Sequence, residues 1–165
     1  MKEFKIPIIL TLIFVCVLIL GTISGLTAVG SFPYAQKYKF YNSRLTIMKS
    51  IEHLKSEHSE FVVPNETGLV DQIDSFGNFH IYIYISSEKR IAHAFIGEEE
   101  NNDGSSNLYF VGIEQSDSLG QWKIVNHDFP RKENIEIKRN FTMGFLDKLS
   151  LTYHDKGNGM WIFWK

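Results

Sequence analysis

Phe79-His-Ile-Tyr-Ile-Tyr-Ile85 alternates strictly between two sets of side chains. Phe79, Ile81, Ile83 and Ile85 fall on one side, and His80, Tyr82 and Tyr84 on the other, as successive residues of a β-strand do. This period of two, in residues that suit a pleated surface, predicts a strand with one buried face. Ser87-Glu88 can turn the chain into Arg90-Ile-Ala-His-Ala-Phe-Ile96, a second strand. His80 and His93 would then sit beside aromatic residues on adjacent strands and could face each other. Glu98 to Ser106 is a polar, acidic loop, and Asn107 to Glu114 is a third strand. In that strand Leu108 and Phe110 are expected on one face, with Tyr109, Val111 and Ile113 on the other. Ser116 to Gly120 turns again into a fourth strand, Gln121 to Val125. Connections this short fit up-and-down antiparallel pairing.

On the N-terminal side of these strands, Tyr34, Tyr38, Tyr41, Leu45, Met48, Ile51 and Leu54 recur at spacings of three and four. The spacing predicts one long helix over residues 34–58, with its apolar stripe packed on the sheet. Ser31 and Pro33 suit its start. Leu69 to Phe76 is ambiguous. On the C-terminal side, Ile135 to Lys138 alternates, and Phe141, Phe145, Leu146 and Leu149 suit either a short helix or a strand. Leu149–His154 and Met160–Trp164, joined across Asn158-Gly159, read as a terminal hairpin. The fold class is α+β, one long helix against an antiparallel sheet.

Further out, Ile6 to Gly30 has no charged residue and 17 hydrophobic positions of 25. As a helix it would reach roughly 37 Å, more than the hydrocarbon core requires. We read residues 1–30 as a short tail and an uncleaved transmembrane anchor, and residues 31–165 as a single domain. The competing reading is a signal peptide cut after Ala28-Val29-Gly30. Lys2 and Lys5 before the segment nearly balance Lys37, Lys39 and Arg44 after it. A cytoplasmic N-terminus with an extracytoplasmic domain follows from the ease with which long domains translocate.

The whole chain has 165 residues, 44% hydrophobic and 22% charged. The 135 residues after Gly30 hold 15 Lys and Arg against 18 Asp and Glu, with no basic stripe, which disfavours nucleic acid as a partner. Cys16, the one cysteine, lies within the apolar segment, so the domain has no disulfide and no thiol nucleophile. There is no Gly-x-Ser-x-Gly, no phosphate-binding Gly-rich loop and no His-Glu-x-x-His. Six histidines (His53, His58, His80, His93, His127 and His154) form no ligand motif, so no metal or other cofactor is expected. Glu98 to Gly104 has part of a calcium-loop spacing, but Phe110 stands where the bidentate Glu is required. His127-Asp128 beside Asp117 or Glu114 could act as acid and base, as could any such trio in a domain of this size, and no catalytic residue is assigned.

Phe95-Ile-Gly97, Gly104-Ser-Ser106, Asn107-Leu-Tyr-Phe-Val111 and Leu119-Gly-Gln-Trp122-Lys-Ile-Val125, after a single N-terminal span, come in an order that resembles the Coa1-like family of cytochrome oxidase assembly proteins. The resemblance covers residues 6–128 and implies a small membrane-anchored α+β domain with a binding or assembly role and no catalytic residues. From both arguments we expect a membrane-tethered module that binds another protein. Tyr82, Tyr84, Glu98, Glu99, Glu100, Trp161 and Trp164 are the candidate contacts. The alternatives are a toxin-neutralising inhibitor using the acidic loop and a small ligand-binding enzyme built on His93, His127 or Asp128.

Overall fold

A computed structural model describes residues 32–86, 88–97 and 101–158. The transmembrane anchor expected in residues 1–30 therefore lies outside the described residues, as do Glu98, Glu99, Glu100, Trp161 and Trp164. Among the described residues no helix is long and apolar enough to cross a membrane.

The strands are β1 (Gln36–Phe40), β2 (Gln72–Ile73), β3 (Phe79–Ile85), β4 (Arg90–Ile96), β5 (Ser106–Gln115), β6 (Lys123–Ile124) and β7 (Tyr153–Asn158). They form one antiparallel sheet in the order β2-β3-β4-β5-β1-β7, and β6 takes the remainder of the β5 edge that β1 uses. Two helices, α1 (Arg44–Glu57) and α2 (Arg131–Gly144), join the core on one sheet face. Phe79, Ile81 and Ile83 from β3, Ala92, Ala94 and Ile96 from β4, and Leu108 and Phe110 from β5 meet Ile47, Ile51 and Leu54 of α1 and Ile137 and Phe141 of α2. The α+β class and the β3 alternation are as expected.

Three expectations need correction. The helix expected over 34–58 begins only at Arg44, and Gln36–Phe40 is a strand between β5 and β7. Gln36-Lys-Tyr-Lys-Phe40 also alternates, and its buried set Gln36, Tyr38 and Phe40 completes the sheet face opposite Phe110, Leu108 and Ser106. Ser43 then caps α1, its Oγ accepting the Thr46 N–H at 3.3 Å. In β5, Ile113 lies on the Leu108 and Phe110 side. A bulge at Val111 shifts the register, so that Phe110 faces Ala94 and Gly112 faces His93. The turn expected over Asp155–Gly159 is not at that place among the described residues, because β7 runs through Asp155-Lys-Gly157 and pairs with β1. Met160–Trp164 lies outside the described residues.

Polar side chains close the far end of the sheet. Asn126 adopts a left-handed backbone (φ 61°), a conformation asparagine tolerates. Its side-chain amide donates to the Tyr34 carbonyl at 2.9 Å, and its oxygen accepts from Asn134 and Lys138, both at 2.9 Å. Lys138 also donates to Gln36, whose own amide donates to Asp155. The first turns of α2 are thus tied to β1 and β7.

Candidate functional site

The sheet face away from α1 and α2 carries the polar half of the β3 alternation. His80, Tyr82 and Tyr84 project there, and the β3–β4 register places Tyr82 opposite His93 and His80 opposite Phe95. Non-hydrogen-bonded cross-strand pairs bring side chains close together, which favours stacking. Tyr82 stacks on His93 with ring centroids 4.9 Å apart, and His93 stacks on His80 at 5.1 Å. His80 lies 5.7 Å from Phe95, and Phe95 stacks on Tyr109 at 4.8 Å. The Lys37 ammonium sits 5.7 Å from the Tyr109 centroid and ends the row. Trp122 lies at the other end, its ring 5.5 Å from His93 and 6.1 Å from Tyr82.

A hydrogen-bonded chain runs through the row. Asp74 sits in the β2–β3 turn, where Oδ1 accepts the N–H groups of Phe76 and Asn78, each at 2.9 Å. Its Oδ2 accepts from His80 Nε2 at 2.9 Å, and the hydrogen bonds hold the carboxyl well below the usual carboxylate range. With Nε2 committed as a donor to the carboxylate, His80 turns Nδ1 towards His93, whose Nε2 lies 2.8 Å from it. His93 is only 9% exposed, and burial, with the neighbouring His80 second, pushes its imidazole down to about 4. One of the two facing nitrogens donates and the other accepts, so this contact cannot carry a proton on both.

Trp122 reaches this face because β6 lies tight against β5. Glu114 is buried and accepts the Gly120 N–H at 2.8 Å, which fixes the preceding turn. Gly112 faces Ile124, and a Cβ at Gly112 would overlap the Lys123 carbonyl oxygen. Only glycine permits this approach. Gly112→Ala should lower stability by about 1–3 kcal/mol, since backbone must move. A urea titration checks this, and a change under roughly 0.5 kcal/mol, the ordinary surface range, would show that β6 moves aside freely.

Of the sequence-expected contacts, Tyr82 belongs to the row. Tyr84 shares its face and strand but stacks on none of its rings among the described residues. The acidic loop is represented by Asp103, which is engaged internally: Oδ2 accepts from Lys39 at 2.7 Å, and Oδ1 accepts from Ser105. His127 and Asp128 pair with each other at 2.6 Å at the surface, and Asp128 also accepts the Ile124 N–H at 2.7 Å. Glu114 is turned to Gly120, so the acid-base grouping does not assemble among the described residues. His53 pairs with Glu57 and His58 with Glu60. Among the described residues no group of three His, Cys, Asp or Glu could hold a metal ion. Asp74, Phe95, Tyr109 and Trp122 were not among the contacts expected from sequence. The alternation at the start of β5 holds the signal for Tyr109, whereas β4 is buried almost throughout and Asp74 and Trp122 arrive through turns. No protein-family model, curated protein or solved structure matches the chain.

Proposed function

We propose that the chain is a membrane-tethered recognition domain that binds another protein and performs no catalysis. Residues 6–30 serve as its anchor and the domain lies outside the cytoplasm. The observation that carries this reading is the aromatic row Trp122–Tyr82–His93–His80–Phe95–Tyr109 on the sheet face opposite both helices. Core formation uses the other face, so the row is not needed to seat the helices. The half-buried Trp122, Tyr82 and Tyr109 rings, held by stacking on buried His93 and Phe95, offer a rigid contact edge with little ordering cost, the property of interaction hot spots. An assembly role of the kind implied by the Coa1-like resemblance is consistent with such a face.

A photo-crosslinking residue at position 122 should give one discrete, stoichiometric adduct in native membranes. The same residue at exposed Glu136 of α2 should give none. Equal labelling at both positions, or none at either, would refute recognition through this face. Protease added to intact cells should remove the domain, and its protection would reverse the proposed orientation.

A further inference from the structure

The edge of β3 is closed in two places and open in a third. At His80 it is paired by Gln72 of β2. At Tyr82 the Asp71 carboxylate accepts the backbone N–H at 2.9 Å, and Lys55 donates to the backbone carbonyl at 2.7 Å. Lys55 and Asp71 are themselves paired at 2.6 Å. Outward-facing backbone groups recur every second residue of an antiparallel strand, so the N–H and C=O of Tyr84 also face outward. No strand or side chain among the described residues takes them. Beside Tyr84 lies a cavity of about 220 Å³, lined chiefly by Phe61, Ile83, Ile85, Phe141 and Phe145. Engineered apolar cavities of about 150 Å³ admit benzene, so this one admits a leucine or phenylalanine side chain. Glu60 and Lys148 also line it and carry opposite charges, so the lining offers no net charge to a charged ligand.

We propose that the β3 edge at Tyr84 and this cavity form a docking site for an extended, uncharged segment of a partner polypeptide. The segment adds to the sheet through the Tyr84 backbone and places one apolar side chain in the cavity. In strand addition, main-chain hydrogen bonds supply affinity and pockets for alternate side chains supply specificity. A residue paired with Tyr84 has neighbours that point to the Ile83 and Ile85 side, where the cavity lies. The net-neutral lining suits a peptide main chain better than a phosphate or a charged headgroup. This inference rests on the recognition reading for its partner being a protein, but it uses a different surface from the aromatic row.

The test uses the full chain in detergent and end-blocked pentapeptides Ser-Thr-Xaa-Thr-Ser, with Xaa Leu, Phe, Asp or Lys. Amide exchange is followed at Tyr84, Ile83 and Ile85. Without peptide, Tyr84 should exchange at least tenfold faster than its neighbours, which are bonded to β4. The Leu and Phe peptides should slow Tyr84 at least tenfold, and the Asp and Lys peptides should not. Gly144 also lines the cavity, and a Cβ there meets nothing within 4 Å. Gly144→Leu should therefore project its side chain into the cavity and weaken Leu-peptide binding at least tenfold. Tyr84→Pro removes the outward donor together with the Tyr84 ring at the cavity rim and should do the same, and Gly144→Leu decides alone if that variant does not fold.

No slowing by the Leu or Phe peptide, or slowing that survives Gly144→Leu, overturns the site. Slowing of Tyr84 that grows with protein concentration alone identifies a second copy as the occupant and overturns the partner assignment. A discrete adduct at position 122 alongside peptide failure rejects only this edge site. Peptide binding without that adduct rejects only the aromatic face.

Discussion

Replacing Phe141 with alanine should cost about 3–5 kcal/mol of stability, the largest loss expected from one substitution here. Phe141 is fully buried on α2 and lies flat on Phe110 of β5, with centroids 4.0 Å apart and planes within 6°. Tyr38 of β1 and Phe145 also pack around it, at 6.0 and 5.6 Å. The ring joins α2 to β1 and β5, so its removal leaves a void that no single side chain can collapse into. Against a total stability on the order of 5–15 kcal/mol, the loss is a large fraction. In a domain of this size the thermal midpoint should fall by roughly 10–20 °C. Phe141→Leu keeps most of the volume and should cost under about 1.5 kcal/mol. Thermal and urea unfolding of both variants check this. A loss below about 1 kcal/mol for the alanine variant would contradict the packing of α2 on the sheet.

The importance of Phe141 was not legible in the sequence, because Ile135-Glu-Ile137 alternates like a strand while Ile137 and Phe141 are spaced like a helix. Burial of Ile137 and Phe141, four residues apart, resolves the conflict in favour of the helix. The same competition misassigned Tyr34 to Phe40. Tyr34, Tyr38 and Tyr41 match a helical stripe, yet Gln36, Tyr38 and Phe40 match a strand equally well. The gap between β5 and β7 selects the strand. By contrast, β3 was readable because Phe79 to Tyr84 alternate buried and half-buried, and β4 because six of its seven residues form a continuous buried run after a turn. That clarity extended to the site: adjacent-strand alternation brought His80 and His93 to one sheet face, where the register makes them diagonal neighbours. It did not reach Asp74, whose position depends on a turn closed by Asn78 and Gly77, the latter at φ 79°. Nor did it reach Trp122, which depends on Gly112 lacking a side chain.

Acidification from pH 6.5 towards pH 4 should remove about 3 kcal/mol of stability through His93 alone. The unfolded imidazole has its ordinary value of 6.5, and the folded one is pushed down to about 4. Between these values the unfolded chain binds a proton that the native chain refuses, so stability falls as pH falls. The gap of about 2.5 units, at about 1.36 kcal/mol each, sets the size. Above pH 6.5 neither state is protonated at this group and the contribution is complete. Below pH 4 the native imidazole also takes its proton and the loss from this group stops growing. The geometry supplies the reason. His93 is enclosed by Tyr82, His80 and Trp122, and its 2.8 Å bond to His80 requires one nitrogen to accept. A proton on both imidazoles would set two N–H donors against each other. Among the described residues the carboxylate in this chain is Asp74, two bonds away on the far side of His80. Its own pKa is depressed, so its contribution is present above 3.8 and is lost only as pH drops further, in a separate window. Urea titrations at pH 7.0, 6.0, 5.0 and 4.5 on the parent and on His93→Phe isolate the effect. Phenylalanine keeps the stacking but cannot take up a proton. The parent should lose about 2 kcal/mol more than the variant across this range, and parallel profiles would mean that His93 is not held neutral by the aromatic row.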